Sequence, residues 1–81
     1  NRVVPPERLK QETRELAERL AKGPPIAISL AKRAIYRSME AGLRSILEFE
    51  SYAQSICSRT EDAAEGVKSF VEKRDPVFKG R

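Results

Sequence analysis

Residues 60–81, TEDAAEGVKSFVEKRDPVFKGR, contain the signals for a helix and for its N-terminal end. Ser58 and Glu61 are spaced for a capping box, and Thr60 or Asp62 could cap the helix instead. An apolar stripe at helical spacing follows, and it consists of Ala63, Val67, Phe70 and Val71. The stretch therefore predicts a short amphipathic helix that packs through this stripe.

The end of the same stretch predicts an extended segment. Lys73 and Arg74 complement the negative C-terminal end of a helix dipole. Pro76 disfavours helix at the residue before it. We expect residues 76–81 to be extended, with Val77 or Phe78 packing back onto the helices.

Three upstream segments also repeat apolar residues every three to four positions, which is typical of amphipathic helices. They are PPERLKQETRELAERLAK (5–22), PPIAISLAKRAIYRSMEAG (24–42) and LRSILEFESYAQSICSR (43–59). Gly23 is placed to take a left-handed cap after the first, and the prolines that follow stop continuation. No segment alternates with period two. The sequence predicts one all-α domain over residues 1–81, a small bundle of about four helices.

The composition limits what such a chain can be. An 81-residue chain is one domain at most, and its small core makes a stable monomer marginal. Cys57 is the only cysteine and histidine is absent, which excludes an internal disulfide and disfavours zinc. We therefore expect the chain to have partners, which are either further copies of itself or the rest of a longer protein. The first residue is Asn1 and not methionine, which also favours a piece of a longer protein.

Location and class follow from the same totals. No apolar run approaches the length of a membrane span, and the first residues show no signal-peptide pattern. A lone thiol fits a reducing compartment, so we expect a cytoplasmic protein. The net charge of +4 is mild for a nucleic-acid binder, because the cations are mixed with acids throughout.

Catalytic groups are not evident in the sequence. There is no histidine base for a nucleophile and no glycine-rich phosphate loop. Glu50 falls in the apolar stripe of the third segment, where we expect an edge position or an ion pair with a neighbouring helix. We predict no catalytic residue, no metal and no cofactor for this chain.

The spacing of several short motifs resembles the crotonase superfamily, the enoyl-CoA hydratases and isomerases. The matching residues are Glu61-Asp62, Glu65-Gly66, Ser69-Phe70, Glu72-Lys73-Arg74, Pro76, Phe78 and Gly80. Upstream, NRVVPPERL (1–9), LAKGPPIAISLAKRAI (20–35) and LEFESYAQ (47–54) also resemble family segments. The resemblance extends over essentially the whole chain and identifies it as the family's helical C-terminal domain.

The resemblance implies a role that supports catalysis elsewhere. The family's core of ββα turns, which carries the oxyanion hole and catalytic acids, is absent from these residues. The C-terminal domain helps to build trimers, often paired into hexamers, and covers part of the acyl-CoA site. CoA enters as part of the substrate in the whole enzyme.

Site residues carry over at few positions. Lys73 matches a family position that approaches the adenine and phosphate end of CoA, and a cation suits that anionic group. The resemblance also implies an aromatic residue in the third helix that lines the adenine pocket; this position is Gln54 here, and Tyr52 and Ile56 are the candidates to replace it. Phe70 and Phe78 are expected to pack helix and tail onto the bundle, and contact with the ligand is the alternative.

Three hypotheses follow for function. The first is a fragment of an acyl-CoA lyase or isomerase that is inert alone and self-associates through its second and third helices. The second is a free-standing helical adaptor, which a short source reading frame would favour over a much longer one. The third, a small nucleic-acid-binding domain, is disfavoured because no single helix concentrates the cations.

Overall fold

A computed structural model describes residues 2–81, which form four helices and no strand. The helices are α1 (Pro6–Ala21), α2 (Pro25–Ser38), α3 (Leu43–Cys57) and α4 (Glu61–Glu72). Their number and order confirm the all-α prediction.

The first junction is tighter than the sequence suggested. Lys22 caps the end of α1 with ordinary right-handed dihedrals, and Gly23 does not adopt the predicted left-handed conformation. The prediction of a left-handed cap at Gly23 is therefore wrong. A Cβ atom at Gly23 would lie 2.6 Å from Cδ1 of Ile28. A side chain at position 23 would therefore require the Ile28 side chain to shift.

Thr60 is the residue that caps α4. Its Oγ1 accepts the backbone N–H of Ala63 at 3.1 Å and donates to the carbonyl of Cys57 at 2.7 Å. Ser58 belongs to the end of α3, where it is the C-cap. The Ser58–Glu61 capping box therefore does not form, and the alternative cap at Thr60 is confirmed.

The helices form a flat, open layer. Helices α2 and α3 make the main interhelical contact. The dimensions are 43 × 39 × 18 Å and the radius of gyration is 15.8 Å, whereas about 12 Å is usual for a compact domain of this length. No hydrophobic residue among residues 2–81 is fully buried. The helices therefore leave their apolar faces available to other surfaces.

The apolar stripe of α4 is the clearest departure from expectation. Val67, Phe70 and Val71 are 68%, 85% and 74% exposed, so the prediction that this stripe packs on the other helices is wrong. The backbone of α4 is instead held by its polar side, where Asp62 and Ser69 are buried. Phe78 is half-buried, which confirms that the tail packs back through this residue.

Candidate ligand-facing surface at the end of helix α4

The C-terminal tail, residues 75–81, runs back along α4 and is fixed at the helix's first turn by Asp62. The Asp62 carboxylate accepts the N–H of Lys79 at 2.6 Å and the N–H of Gly80 at 2.8 Å. The N–H of Asp62 donates to the carbonyl of Arg81 at 3.0 Å. Asp62 is only 4% exposed, and these bonds supply the partners that a buried carboxylate requires.

Glu65 holds the middle of the tail one turn further along α4. Its two carboxylate oxygens accept from Arg74 Nη1 at 2.6 Å and Nη2 at 2.9 Å, and one also accepts the N–H of Val77 at 2.9 Å. Such paired charge-assisted bonds combine strength with a defined geometry. The Arg74 hydrogen bond, followed by that of Val77, lowers the pKa of Glu65 to about 2.

Arg74 is fixed on a second side by Glu72, whose Oε2 lies 2.6 Å from Nε. The hydrogen bonds from Glu65 and Glu72 raise the pKa of the guanidinium above its usual range. The backbone N–H of Arg74 also donates to the carbonyl of Ser69 at 3.1 Å. Arg74 is therefore a structural residue that fixes the turn after α4.

Lys73 lies in that turn and adopts a left-handed conformation, with φ 53° and ψ 42°. Its N–H closes the helix end on the carbonyl of Phe70 at 3.3 Å. A side chain in this region costs about 1 to 2 kcal/mol relative to the right-handed helix, and glycine is the usual residue there. The neighbouring bonds of Arg74 hold the strained backbone and leave the ammonium group of Lys73 exposed.

Phe70 lies three residues before Lys73 and is 85% exposed. Lys73 directly follows Glu72, the last residue of α4, so an exposed aromatic side chain and an exposed cation lie within four residues of each other at the end of α4. The expectation that Phe70 packs inside was wrong because the stripe to which it belongs has no facing helix in residues 2–81. The one signal in the sequence was the short distance from Phe70 to the Glu72-Lys73-Arg74 run.

The other predicted positions lie elsewhere. Gln54 lines an open groove of about 610 Å³ between α2 and α3, together with Glu50 and alanines of α2. Tyr52 and Ile56 are 74% and 52% exposed and do not line this groove. Neither does Lys73, so the structure does not bring these α3 residues and Lys73 to one groove.

Glu50 is exposed at the rim of that same groove, which confirms the edge position that was expected. Residues 2–81 contain no group of three or more acidic, cysteine or histidine side chains placed to hold a metal ion. No helix in this part of the chain is long and apolar enough to cross a membrane.

A comparison with protein families matches the enoyl-CoA hydratase/isomerase model to residues 1–81. The chain belongs to the enoyl-CoA hydratase/isomerase family. A crystal structure of enoyl-CoA hydratase from Bacillus anthracis superposes with a TM-score of 0.92 at 39% identity, over 98% of this chain and 31% of that one. The resemblance to the family's helical C-terminal domain is thereby confirmed.

Curated relatives of this family member agree. The short-chain-enoyl-CoA hydratase of Clostridium acetobutylicum is 38% identical over 74 residues, which are 91% of this chain and 28% of that protein. The carnitinyl-CoA dehydratase of Citrobacter koseri is 42% identical over 86 residues, covering all of this chain and 33% of the relative. The chain spans about a third of the length of the proteins it matches.

Proposed function

We propose that residues 1–81 are the helical C-terminal part of an enzyme that acts on acyl-CoA thioesters as an enoyl-CoA hydratase or isomerase. The observation that carries this proposal at the level of the site is the exposed pair formed by Phe70 and Lys73. In a chain of this family, the pair is suited to cover the nucleotide end of coenzyme A.

Each member of the pair matches one part of that ligand. The adenine ring presents a planar π surface, and stacking on an aromatic side chain contributes about 1 to 3 kcal/mol per base in nucleic-acid complexes. The phosphates are anionic, and a lysine ammonium acts on them as a compact point charge. Holding Lys73 in a costly conformation is consistent with a functional role, since strained backbone concentrates at such sites.

The reaction itself is assigned to residues outside this chain. The thioester enolate of a hydratase or isomerase requires preorganised hydrogen-bond donors, and the core that carries them in the family is absent from residues 1–81. We propose that this chain is inert alone and mediates assembly into a trimer or hexamer of a cytoplasmic enzyme.

Catalytic inertness is tested by incubating the 81-residue chain with crotonyl-CoA and following the enoyl absorbance. We expect no loss of absorbance above the uncatalysed rate. The full-length enzyme is the positive control under the same conditions. Hydration by the isolated chain at a rate comparable with that control would contradict the proposal that residues outside this chain carry out the reaction.

The role of Lys73 is tested in the full-length enzyme with K73Q, and K68Q is the matched control because Lys68 is another exposed lysine of α4. Removing one charged contact should raise KM for the acyl-CoA about tenfold. The kcat should be unchanged, because a contact remote from the reacting atoms binds ground and transition states equally. Equal KM values for K73Q and K68Q would contradict the assignment.

A helical adaptor remains the second candidate, and the exposure of large apolar side chains on all four helices favours it. The length of the source reading frame separates the two. A frame of about the length of this chain supports the adaptor, whereas one the length of the curated relatives supports the enzyme.

A further inference from the structure

Helix α2 has an unusual distribution of charge. It contains three cations, Lys32, Arg33 and Arg37, and no aspartate or glutamate. The whole chain has a net charge of +4 from 16 cations and 12 acids, so α2 contributes +3 of that total. Because the other 13 cations and the 12 acids nearly balance, α2 carries most of the net positive charge of the chain, although the cations themselves are spread over all four helices.

All three cations line one groove between α2 and α3. Its volume is about 490 Å³, and its lining consists of Ser29, Lys32, Arg33, Tyr36, Arg37 and Phe49. It lies on different residues from the apolar groove formed by the alanines of α2. The α2–α3 pair therefore has one apolar groove and one that combines cations with aromatic rings.

The cations of this groove lack acidic partners in the part of the chain that the structure describes. Arginines outside it, such as Arg8, Arg44 and Arg81, form ion pairs with glutamates at 2.6 to 3.5 Å. Arg37 instead stacks over the ring of Phe49 at 4.9 Å, and Lys32 lies 6.0 Å from the centre of the Tyr36 ring. The positive charge is thus available to an external anion.

The geometry points to a nucleoside polyphosphate as the occupant of this groove, and we propose that it binds adenosine diphosphate or a closely related nucleotide. A guanidinium plane and aromatic rings both stack on bases, and Tyr36 is 60% exposed. Arg33 and Lys32 remain free to bind the phosphates, for which arginine offers paired donors.

This inference is independent of the proposed function. The groove shares no residue with the surface formed by Phe70 and Lys73, so each can fail without the other. Coenzyme A also contains an adenosine diphosphate group, and it is therefore used as a second probe beside free ADP.

The experiment titrates the 81-residue chain with ADP and follows backbone amide shifts by NMR. We expect saturable binding of one ADP per chain, with the largest shifts at Ser29, Arg33, Tyr36 and Phe49. The R33Q/R37Q variant should bind about tenfold more weakly, because two charge-assisted contacts are lost. Glutamine has a helix propensity close to that of arginine, and circular dichroism verifies that the helices are retained. K68Q is the matched control and should bind ADP as the unaltered chain does.

Several results would overturn the proposal. Tripolyphosphate binding as tightly as ADP would mean charge attraction without base stacking. Tighter binding of a single-stranded oligonucleotide than of ADP, lost in R33Q/R37Q, would assign the groove to nucleic acid. Loss of ADP binding in K73Q, or CoA binding much tighter than ADP that K73Q abolishes, would place the nucleotide at the end of α4. No saturation at millimolar ADP would exclude the site.

Discussion

At the scale of single residues, the carboxylates of α4 determine how the chain ends. Asp62 and Glu65 lie one turn apart and together accept three backbone N–H groups of the tail. Glu65 also fixes Arg74, the residue directly after the left-handed Lys73. The left-handed turn that contains the exposed Lys73 is therefore held by the bonds between Glu65 and Arg74.

The hydrogen bonds that Glu65 accepts from Arg74 and Val77 should be lost in acid. The pKa of Glu65 is lowered from its ordinary 4.5 to about 2 in the folded chain. A lowered folded-state pKa contributes stability that is fully present above the unfolded-state value and is lost as pH falls through the folded-state value. We expect the tail to detach progressively between pH 4.5 and 2. The amide shift of Val77 measures this, and E65Q should remove that transition while leaving the shift of Ser29 unchanged.

At the scale of helices and tail, the sequence predicted the elements well and their contacts poorly. The periodicity of apolar residues predicts all four helices, and Thr60 is one of the three residues that the sequence allows as the cap of α4. Periodicity does not show which apolar face packs against another helix, because Val67 and Phe70 would have the same spacing if α4 were buried. For the candidate site, Lys73 came from family resemblance, whereas the relevance of Phe70 required its observed exposure.

The reason for each glycine could be assigned only from the structure. A glycine is tolerated in a turn for its conformational freedom or for the space it leaves, and the two uses look identical in sequence. Gly23 leaves space beside Ile28, whereas Gly80 has a φ of +77°. Only the second resembles the left-handed glycine that the sequence suggested near the end of α1.

Alanine substitutions at Gly80 and Gly66 should change the stability of the chain in opposite directions. At Gly80, an added Cβ would lie 3.0 Å from Cγ of Pro25 at a positive φ, so G80A should destabilise the docked tail by about 1 to 2 kcal/mol. At Gly66, inside α4, it would lie 3.8 Å from Cε1 of Phe78, an ordinary contact. G66A should therefore stabilise the chain by roughly 0.5 to 1 kcal/mol through helix propensity.

Urea denaturation of both variants at one chain concentration measures these differences. Amide exchange at Lys79, whose N–H is bonded to Asp62, reports the tail separately and should accelerate only in G80A. Equal destabilisation by the two substitutions would mean that neither glycine acts through its local geometry.

At the scale of the whole molecule, the chain lacks the interior that a stable monomer needs. Among residues 2–81 no apolar side chain is fully buried, and the layer is only 18 Å thick in its shortest dimension. Large contiguous apolar patches on a soluble surface mark sites of association. The family match, which covers about a third of each relative, indicates that in those proteins this layer has much more chain to pack against.

We expect the isolated chain to self-associate through the apolar faces of α2 and α3. Ile35, Met39 and Leu47 are 66%, 70% and 55% exposed, and Leu47 lines the apolar groove between the two helices. Light scattering at high micromolar concentration should give a mass above that of one chain. L47E should weaken the association about tenfold, because it introduces a charge where association would exclude water.

V3E is the control for this substitution, because Val3 is fully exposed near the chain start and outside both helices. It adds the same charge to the chain, so its mass should match that of the unaltered protein. A monomeric mass for the unaltered chain, or equal loss of association in L47E and V3E, would show that the α2–α3 face does not drive association. In that case the open layer would have to be stable with its apolar faces in water, against the balance of burial and chain entropy that limits small domains.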